Sequence, residues 1–118
     1  MTANQSQIDY WNSAQVQKWT DLREALDHTM SALTEFLIAA AAPTPGERAV
    51  DIGCGTGDLS RKLAEVLGDS GEVLGLDISE ALLDVARRLA PRNAEFQRGD
   101  AQVFALSPLH FDLSLIHI

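Results

Sequence analysis

Between Asp51 and Asp58 the chain carries glycine at every second position, Gly53, Gly55 and Gly57, with Cys54 and Thr56 between them. Glycine alone takes positive φ at little cost and lets a ligand approach the backbone with no Cβ in the way, so this spacing predicts a ligand cradle rather than a plain turn. A dinucleotide fingerprint of the form G-x-G-x-x-G would place its last glycine at position 58, which holds Asp58. A carboxylate beside a helix N-terminus repels a pyrophosphate and favours a ligand with cationic groups. Two further acids, Asp77 and Asp100, stand in comparable places later in the chain. A carboxylate only accepts hydrogen bonds, and the two oxygens of Asp77 match the two hydroxyl donors of a ribose diol. Asp100, in Gly99-Asp100-Ala101-Gln102, is suited to accept from an adenine amino group, or else to end a strand in solvent.

These residues need strands and helices in alternation to hold them. Arg48–Ile52 reads as a strand, Asp58–Leu67 as a helix, Val73–Ile78 as a strand, Glu80–Ala90 as a helix, then Ala94–Arg98 and Phe111–Ile118 as strands. Leu59, Leu63, Val66 and Leu67 form the buried face of the first helix, with Gly68 as its stop. Ser79 is the expected N-cap of the second, whose buried face is Leu82, Leu83, Ala86 and Leu89 and whose stop is Pro91. This alternation predicts an α/β fold with a parallel sheet, right-handed crossovers and helices on the faces. Asp51, Asp58, Asp77 and Asp100 then all fall at the carboxyl ends of strands or in the loops that follow, the edge where such sheets bind ligands.

Upstream, residues 1–42 contain neither glycine nor proline, and Ile8, Trp11, Trp19, Leu22, Leu26, Met30, Leu33 and Leu37 fall at helical spacings. One long helix or two are expected, with Trp19 on the apolar stripe as core packing. Pro43, Pro45 and Gly46 end this segment. Two units follow: a helical cap over 1–42 and a ligand-binding α/β unit over 43–118.

The 118-residue length suits one domain, and 46% hydrophobic with 22% charged residues is a globular balance. A formal net charge of -8 disfavours nucleic acid and anionic membrane surfaces as partners. The single cysteine allows no internal disulfide, and His28, His110 and His117 have no metal-ligand spacing, so no metal is expected. Cys54 has no histidine nearby in sequence to act as a base, and reads as a small residue in a tight loop with no chemistry of its own. No signal-peptide pattern opens the chain, and the run Phe36–Ala42 is far short of the ~20 residues of a spanning helix, so a cytoplasmic location is expected.

The segments Asp51-Ile52-Gly53-Cys54-Gly55-Thr56-Gly57, Gly75-Leu76-Asp77-Ile78-Ser79 and Gly99-Asp100-Ala101-Gln102 resemble the first three motifs of the class I S-adenosylmethionine-dependent methyltransferases. Tyr10-Trp11-Asn12, Trp19 and Pro45-Gly46-Glu47-Arg48 resemble a small-molecule subgroup of that superfamily. The resemblance implies a Rossmann-like sheet and S-adenosyl-L-methionine as cofactor. It implies that Gly53, Cys54, Gly55 and Gly57 line the methionine part, with Asp51 ordering the loop or reaching the ammonium through water. Asp77 would hold the ribose hydroxyls, Ile78 would pack on the adenine, and Asp100 with the Ala101 backbone would read its amino edge. Tyr10, Trp11 and Trp19 would wall the site. The catalytic group and the methyl acceptor beyond "small molecule" are not implied. The family sheet has seven strands in the order 3-2-1-4-5-7-6, and this chain supplies strands 1 to 4. The resemblance therefore implies a C-terminally truncated form, without turnover and prone to self-association through an open strand edge. A nicotinamide-dependent oxidoreductase, disfavoured by Asp58, and a non-catalytic binding module using that edge are the alternatives.

Overall fold

The computed structural model describes residues 4–101 and 111–116. Gln102, His110, His117 and Ile118, named above, lie outside the described residues. Four strands, β1 (Arg48–Ile52), β2 (Glu72–Asp77), β3 (Ala94–Arg98) and β4 (Leu113–Ile116), form one sheet in the order β3-β2-β1-β4. All pairings are parallel, and the register sets Asp51 beside Gly75 and Gly75 beside Phe96. This is the expected Rossmann-like arrangement.

Parallel strands need a crossover between each pair, and the helices α4 (Asp58–Leu67) and α5 (Glu80–Arg88) supply two of them. Helix α4 buries Leu59, Ser60, Leu63, Ala64 and Leu67, whereas Val66, expected on that face, is exposed. The buried carboxylate of Asp51 accepts a hydrogen bond from Ser60 Oγ at 2.7 Å. That bond turns the helix so that Ser60 faces the sheet and Val66 moves to the rim. At the far end, the Asn93 amide donates to the carbonyls of Ala64 (2.8 Å) and Gly68 (3.0 Å), a second donor for oxygens that already accept from the Gly68 and Gly71 N–H groups.

Helix α5 buries Leu82, Leu83, Val85 and Ala86. Ser79 is its N-cap, with Oγ accepting from Leu82 N–H at 3.3 Å. It stops at Arg88, two residues before the expected end, and Leu89 leaves the helical path and is exposed rather than buried. Phe96 fills the space above Gly75, where a Cβ would lie 2.5 Å from Phe96 Cδ1, so only glycine fits opposite that ring.

The N-terminal segment is broken more than its periodicity suggests. It comprises α1 (Gln5–Trp11), a 3-10 turn at Ala14–Val16, α2 (Gln17–Asp21) and α3 (Arg23–Ala41). The first break lies at Asn12, whose side-chain amide donates both to Ile8 O of its own helix and to Ile78 O after β2, each at 2.8 Å. A tertiary bond thus ends a helix that has no proline or glycine to end it. The expected apolar stripe is not a core: among the described residues of the cap only Val16 and Thr34 are buried, while Phe36 is 68% exposed and Leu33 45%. No described helix is long and apolar enough to cross a membrane.

Candidate cofactor-binding site

The glycine loop leaves the carboxyl end of β1 beside that of β2. Gly53, Gly55 and Gly57 all adopt positive φ, at 76°, 56° and 88°. Gly53 N–H and Cys54 N–H both donate to Leu76 O, at 2.8 and 3.0 Å, which pins the start of the loop to β2. At Gly57 a Cβ would sit 3.0 Å from Phe96 Cζ and 3.1 Å from Arg61 Nη1, so close packing as well as φ requires glycine there. Gly55 differs: beyond its two chain neighbours, no other residue comes within 4 Å of where its Cβ would be. That open space adjoins Asp77, which makes it a cradle.

Asp77 is held by the backbone on both oxygens. Oδ2 accepts from Gly55 N–H at 2.8 Å and Oδ1 from Ser79 N–H at 2.9 Å. Each oxygen keeps a second lone pair, so the carboxylate is oriented and still able to accept from a ligand diol. Burial raises its pKa above the ordinary 3.8, opposed by the backbone N–H groups of Ser79, Gly55 and Ile78. Asp100 and Ala101 follow β3 at the same edge, and Gly99 N–H donates to Asp77 O at 3.0 Å, tying the second and third motif loops together.

A cleft of about 880 Å³ opens over this edge. Of the sequence-predicted residues, Gly53, Cys54, Gly55, Asp77, Ile78, Asp100, Ala101, Trp11 and Trp19 line it. Asp51 does not: it is fully buried behind the loop against Ser60, which fits ordering the loop and not a reach toward a ligand. Gly57 lies behind the wall, and Tyr10 stands outside it, its ring edge-on to Trp11 with centroids 5.0 Å apart. Trp19 is the opposite case. Expected as core packing, it is 43% exposed and faces the cleft, 5.6 Å from the Trp11 ring.

Cys54 packs against Leu83, Ala86 and Phe96. Burial first, then the nearby Asp51 and Asp77 charges, push its thiol pKa far up. A thiol kept protonated in this way is a poor nucleophile, in agreement with reading it as a small loop residue.

Sequence reasoning missed the wall contributed by α3. Arg23, Leu26, Asp27, Met30 and Thr34 recur at three- and four-residue intervals and all line the cleft, whereas Leu22 and Leu33 of the apolar stripe face solvent. Asp27 pairs with Arg23 (3.4 Å) and with Arg61 of α4 (3.7 Å), and Arg61 Nη1 donates to Thr56 O of the glycine loop at 2.6 Å. Burial and then the like charge of Asp58 raise the Asp27 pKa, against the pull of Arg61, Arg23 and Lys62. Asp58 is itself paired with Lys62 at 3.6 Å. Charges at these spacings read from sequence as a solvated helix face. Among the described residues no group of three or more His, Cys, Asp or Glu side chains could hold a metal ion.

Comparison with known proteins agrees with this geometry. The methyltransferase domain family matches residues 49–118. The 2-phytyl-1,4-naphtoquinone methyltransferase of Synechococcus elongatus is 43% identical over 81 residues, covering 64% of this chain and 35% of that protein. The ubiquinone/menaquinone biosynthesis C-methyltransferase of Ectopseudomonas mendocina is 40% identical over 86 residues, 69% of this chain and 34% of that protein. The chain thus spans about a third of the length of these curated relatives. Among solved structures, an S-adenosylmethionine-dependent methyltransferase from Mesorhizobium loti is 34% identical with a TM-score of 0.60, covering 70% of this chain and 38% of that one. An oriented Asp77, an open cradle at Gly55 and a carboxylate-rich sheet edge fit a cofactor with a ribose and a cationic end. The chain belongs to the methyltransferase domain family.

Proposed function

We propose that this chain is the cofactor-binding part of an enzyme that methylates a small, apolar, quinone-like acceptor. The observation that carries the reading is the pairing of an Asp77 carboxylate, oriented from two backbone N–H groups, with the open space at Gly55 inside one cleft. Support for the acceptor class comes from the two quinone-acting relatives and from the apolar side of the cleft, where Trp11, Trp19, Leu26 and Met30 stand across from the glycine loop.

In this reading residues 1–42 cap the site and 43–118 hold the cofactor. The Gly53–Gly57 backbone accommodates the methionine part, with Cys54 contributing its main chain and Asp51 fixing the loop through Ser60. Asp77 accepts from both ribose hydroxyls, Ile78 packs on the adenine, and Asp100 with Ala101 reads its amino edge. Trp11 and Trp19 close the cleft, with Tyr10 supporting Trp11 from outside. When bound, the cofactor supplies an electrophilic methyl on a sulfonium. The protein's part is to align an acceptor with it and keep water out, the largest contribution a positioning site can make. No described residue is assigned as the general base. We place the protein in the cytoplasm, without nucleic-acid or membrane partners.

The outer edge of β4 has no strand partner among the described residues, and self-association of the 118-residue chain through it is part of this proposal. Titration calorimetry with S-adenosylmethionine, S-adenosylhomocysteine and NAD tests the cofactor, and light scattering after size exclusion tests the edge. Preferential binding of NAD would overturn the cofactor assignment. Methyl transfer to a prenylated naphthoquinol by a longer form of the protein is the expected activity. Transfer only to polar acceptors would overturn the acceptor class.

A further inference from the structure

We propose that Asn12 is a positioning residue that fastens the helical cap to the loop carrying Asp77 and Ile78, so that cap closure and cofactor binding occur together. The inference rests on reading the cleft as the cofactor site. Asn12 stands directly after Trp11, which lines the cleft, and its side chain reaches across to the other wall. Both amide hydrogens of Nδ2 are used, one on Ile8 O and one on Ile78 O, each at 2.8 Å. The amide oxygen accepts from Glu80 N–H at 3.0 Å.

These partners sit on either side of one short turn. Ile78 follows Asp77, and Glu80 opens α5 with an N–H that has no acceptor within the helix. Ser79 Oγ takes the Leu82 N–H and leaves Glu80 N–H to Asn12. On the inner side, Asp77 Oδ1 accepts from Ser79 N–H. The turn that presents Asp77 and Ile78 to the cleft is therefore held from inside by Asp77 and from outside by Asn12. Helix α2, which carries Trp19, also packs against α5, so the cap rests on the element whose first turn Asn12 fixes.

Asn12 is exposed, and water can replace its bonds at small net cost to folding. What water cannot replace is the direction in which Ile78 O and Glu80 N–H are held relative to Trp11. A residue of this kind acts through Asp77 and Ile78 and touches no reacting atom.

The test uses the 118-residue chain with S-adenosylhomocysteine as probe. Both tryptophans of the chain, Trp11 and Trp19, lie in the cap, so intrinsic fluorescence reports the cap alone. In the wild type, binding is expected to change this fluorescence and to slow hydrogen exchange at the Glu80 amide. With Asn12→Ala the probe is expected to bind about tenfold more weakly, the size of one or two neutral hydrogen bonds, with the fluorescence change reduced and the Glu80 amide exchanging faster. Asn12→Asp keeps an acceptor for Glu80 N–H but turns an oxygen toward Ile78 O, and is expected to do no better than alanine. Exchange protection across β1 and β2 is expected to persist in both variants. Unchanged affinity and fluorescence response in Asn12→Ala would overturn the inference alone. Loss of β1 and β2 protection in both variants would make Asn12 a folding determinant and overturn it too. A wild-type chain that does not bind the probe would overturn the cofactor reading and this inference with it.

Discussion

The two halves of the molecule spend their apolar residues differently. Between Arg48 and Arg98 short helices and strands turn most large aliphatic side chains inward: Leu59, Leu63, Leu67, Leu76 and Leu83 are all 1% exposed or less. The cap has far more helix and buries little, and its apolar side chains line a cleft or face solvent. A sheet with α4 and α5 packed on it is held by that packing, whereas a cap of this kind depends on a few polar bridges and on whatever fills the cleft beneath it. Stability and ligand affinity should therefore respond to different sets of residues.

The strongest break of this contrast comes from the core. Leu63→Ala, at a fully buried position between α4 and the sheet, is expected to lower unfolding free energy by about 2 to 5 kcal/mol in urea titration, the usual cost of removing an aliphatic side chain from a packed interior. A loss below about 1 kcal/mol would show that α4 is not packed as described.

Next in size is the effect of Asp77→Ala on cofactor affinity, an expected loss of roughly 2 to 4 kcal/mol read by calorimetry, since hydrogen bonds to a charged group contribute about 1.5 to 3 each and do not add fully. The pH dependence has a definite sign. Burial raises the Asp77 pKa in the folded chain above 3.8, so between 3.8 and that raised value the folded state holds a proton that the unfolded state has lost. This group's contribution to the stability of the unliganded chain therefore falls as pH rises through that window. Cofactor affinity runs the other way, weakening as acid protonates the acceptor. An Asp77→Asn variant, which cannot titrate, should lose both slopes. Persistence of either slope in that variant would assign it to another group, of which Asp27, also raised by burial, is the first to test.

A smaller effect is expected at the bridge between the halves. Arg61→Ala removes the bond to Thr56 O and the pair with Asp27, and should weaken cofactor binding by about 0.5 to 1.5 kcal/mol. An unchanged dissociation constant would detach α3 from the glycine loop. The smallest effect is expected at Phe36→Ala in the cap, within about 0.5 kcal/mol of wild type in thermal or urea unfolding despite the size of the side chain. A larger loss there would show that α3 packs on something in solution.

The same contrast explains what could be read from the sequence. Strand positions and the conformation of the three glycines follow from local signals, because alternation, turn residues and φ are properties of short segments, while the strand order came with the family resemblance. Asp77 was legible for the same reason, since its partners Gly55 and Ser79 belong to motifs already marked out. The cap was legible only as a pattern. Periodicity at Trp19, Leu26 and Met30 says that one face is apolar and is silent on whether that face meets a core, a cleft or water. The break at Asn12 and the bridge from Asp27 to Arg61 depend on residues distant in sequence, and no window of local propensity contains both ends. Val66 and Leu89 failed for related reasons, one displaced by the pull of Asp51 on Ser60 and one stranded by an early helix end.

The side chain of Asn93 carries a consequence for how the chain acquires this shape during synthesis. It closes the carboxyl-terminal turn of α4 by donating to Ala64 O and Gly68 O, yet it is translated only after β2 and α5. Until the segment that begins β3 has left the ribosome, Ala64 O and Gly68 O keep only the local bonds from Gly68 N–H and Gly71 N–H, and helix ends held only locally fray. A nascent chain halted before residue 93 thus has a glycine loop and a first crossover whose far end is still loose. One amide, delivered with the start of β3, adds the tertiary tie to that end.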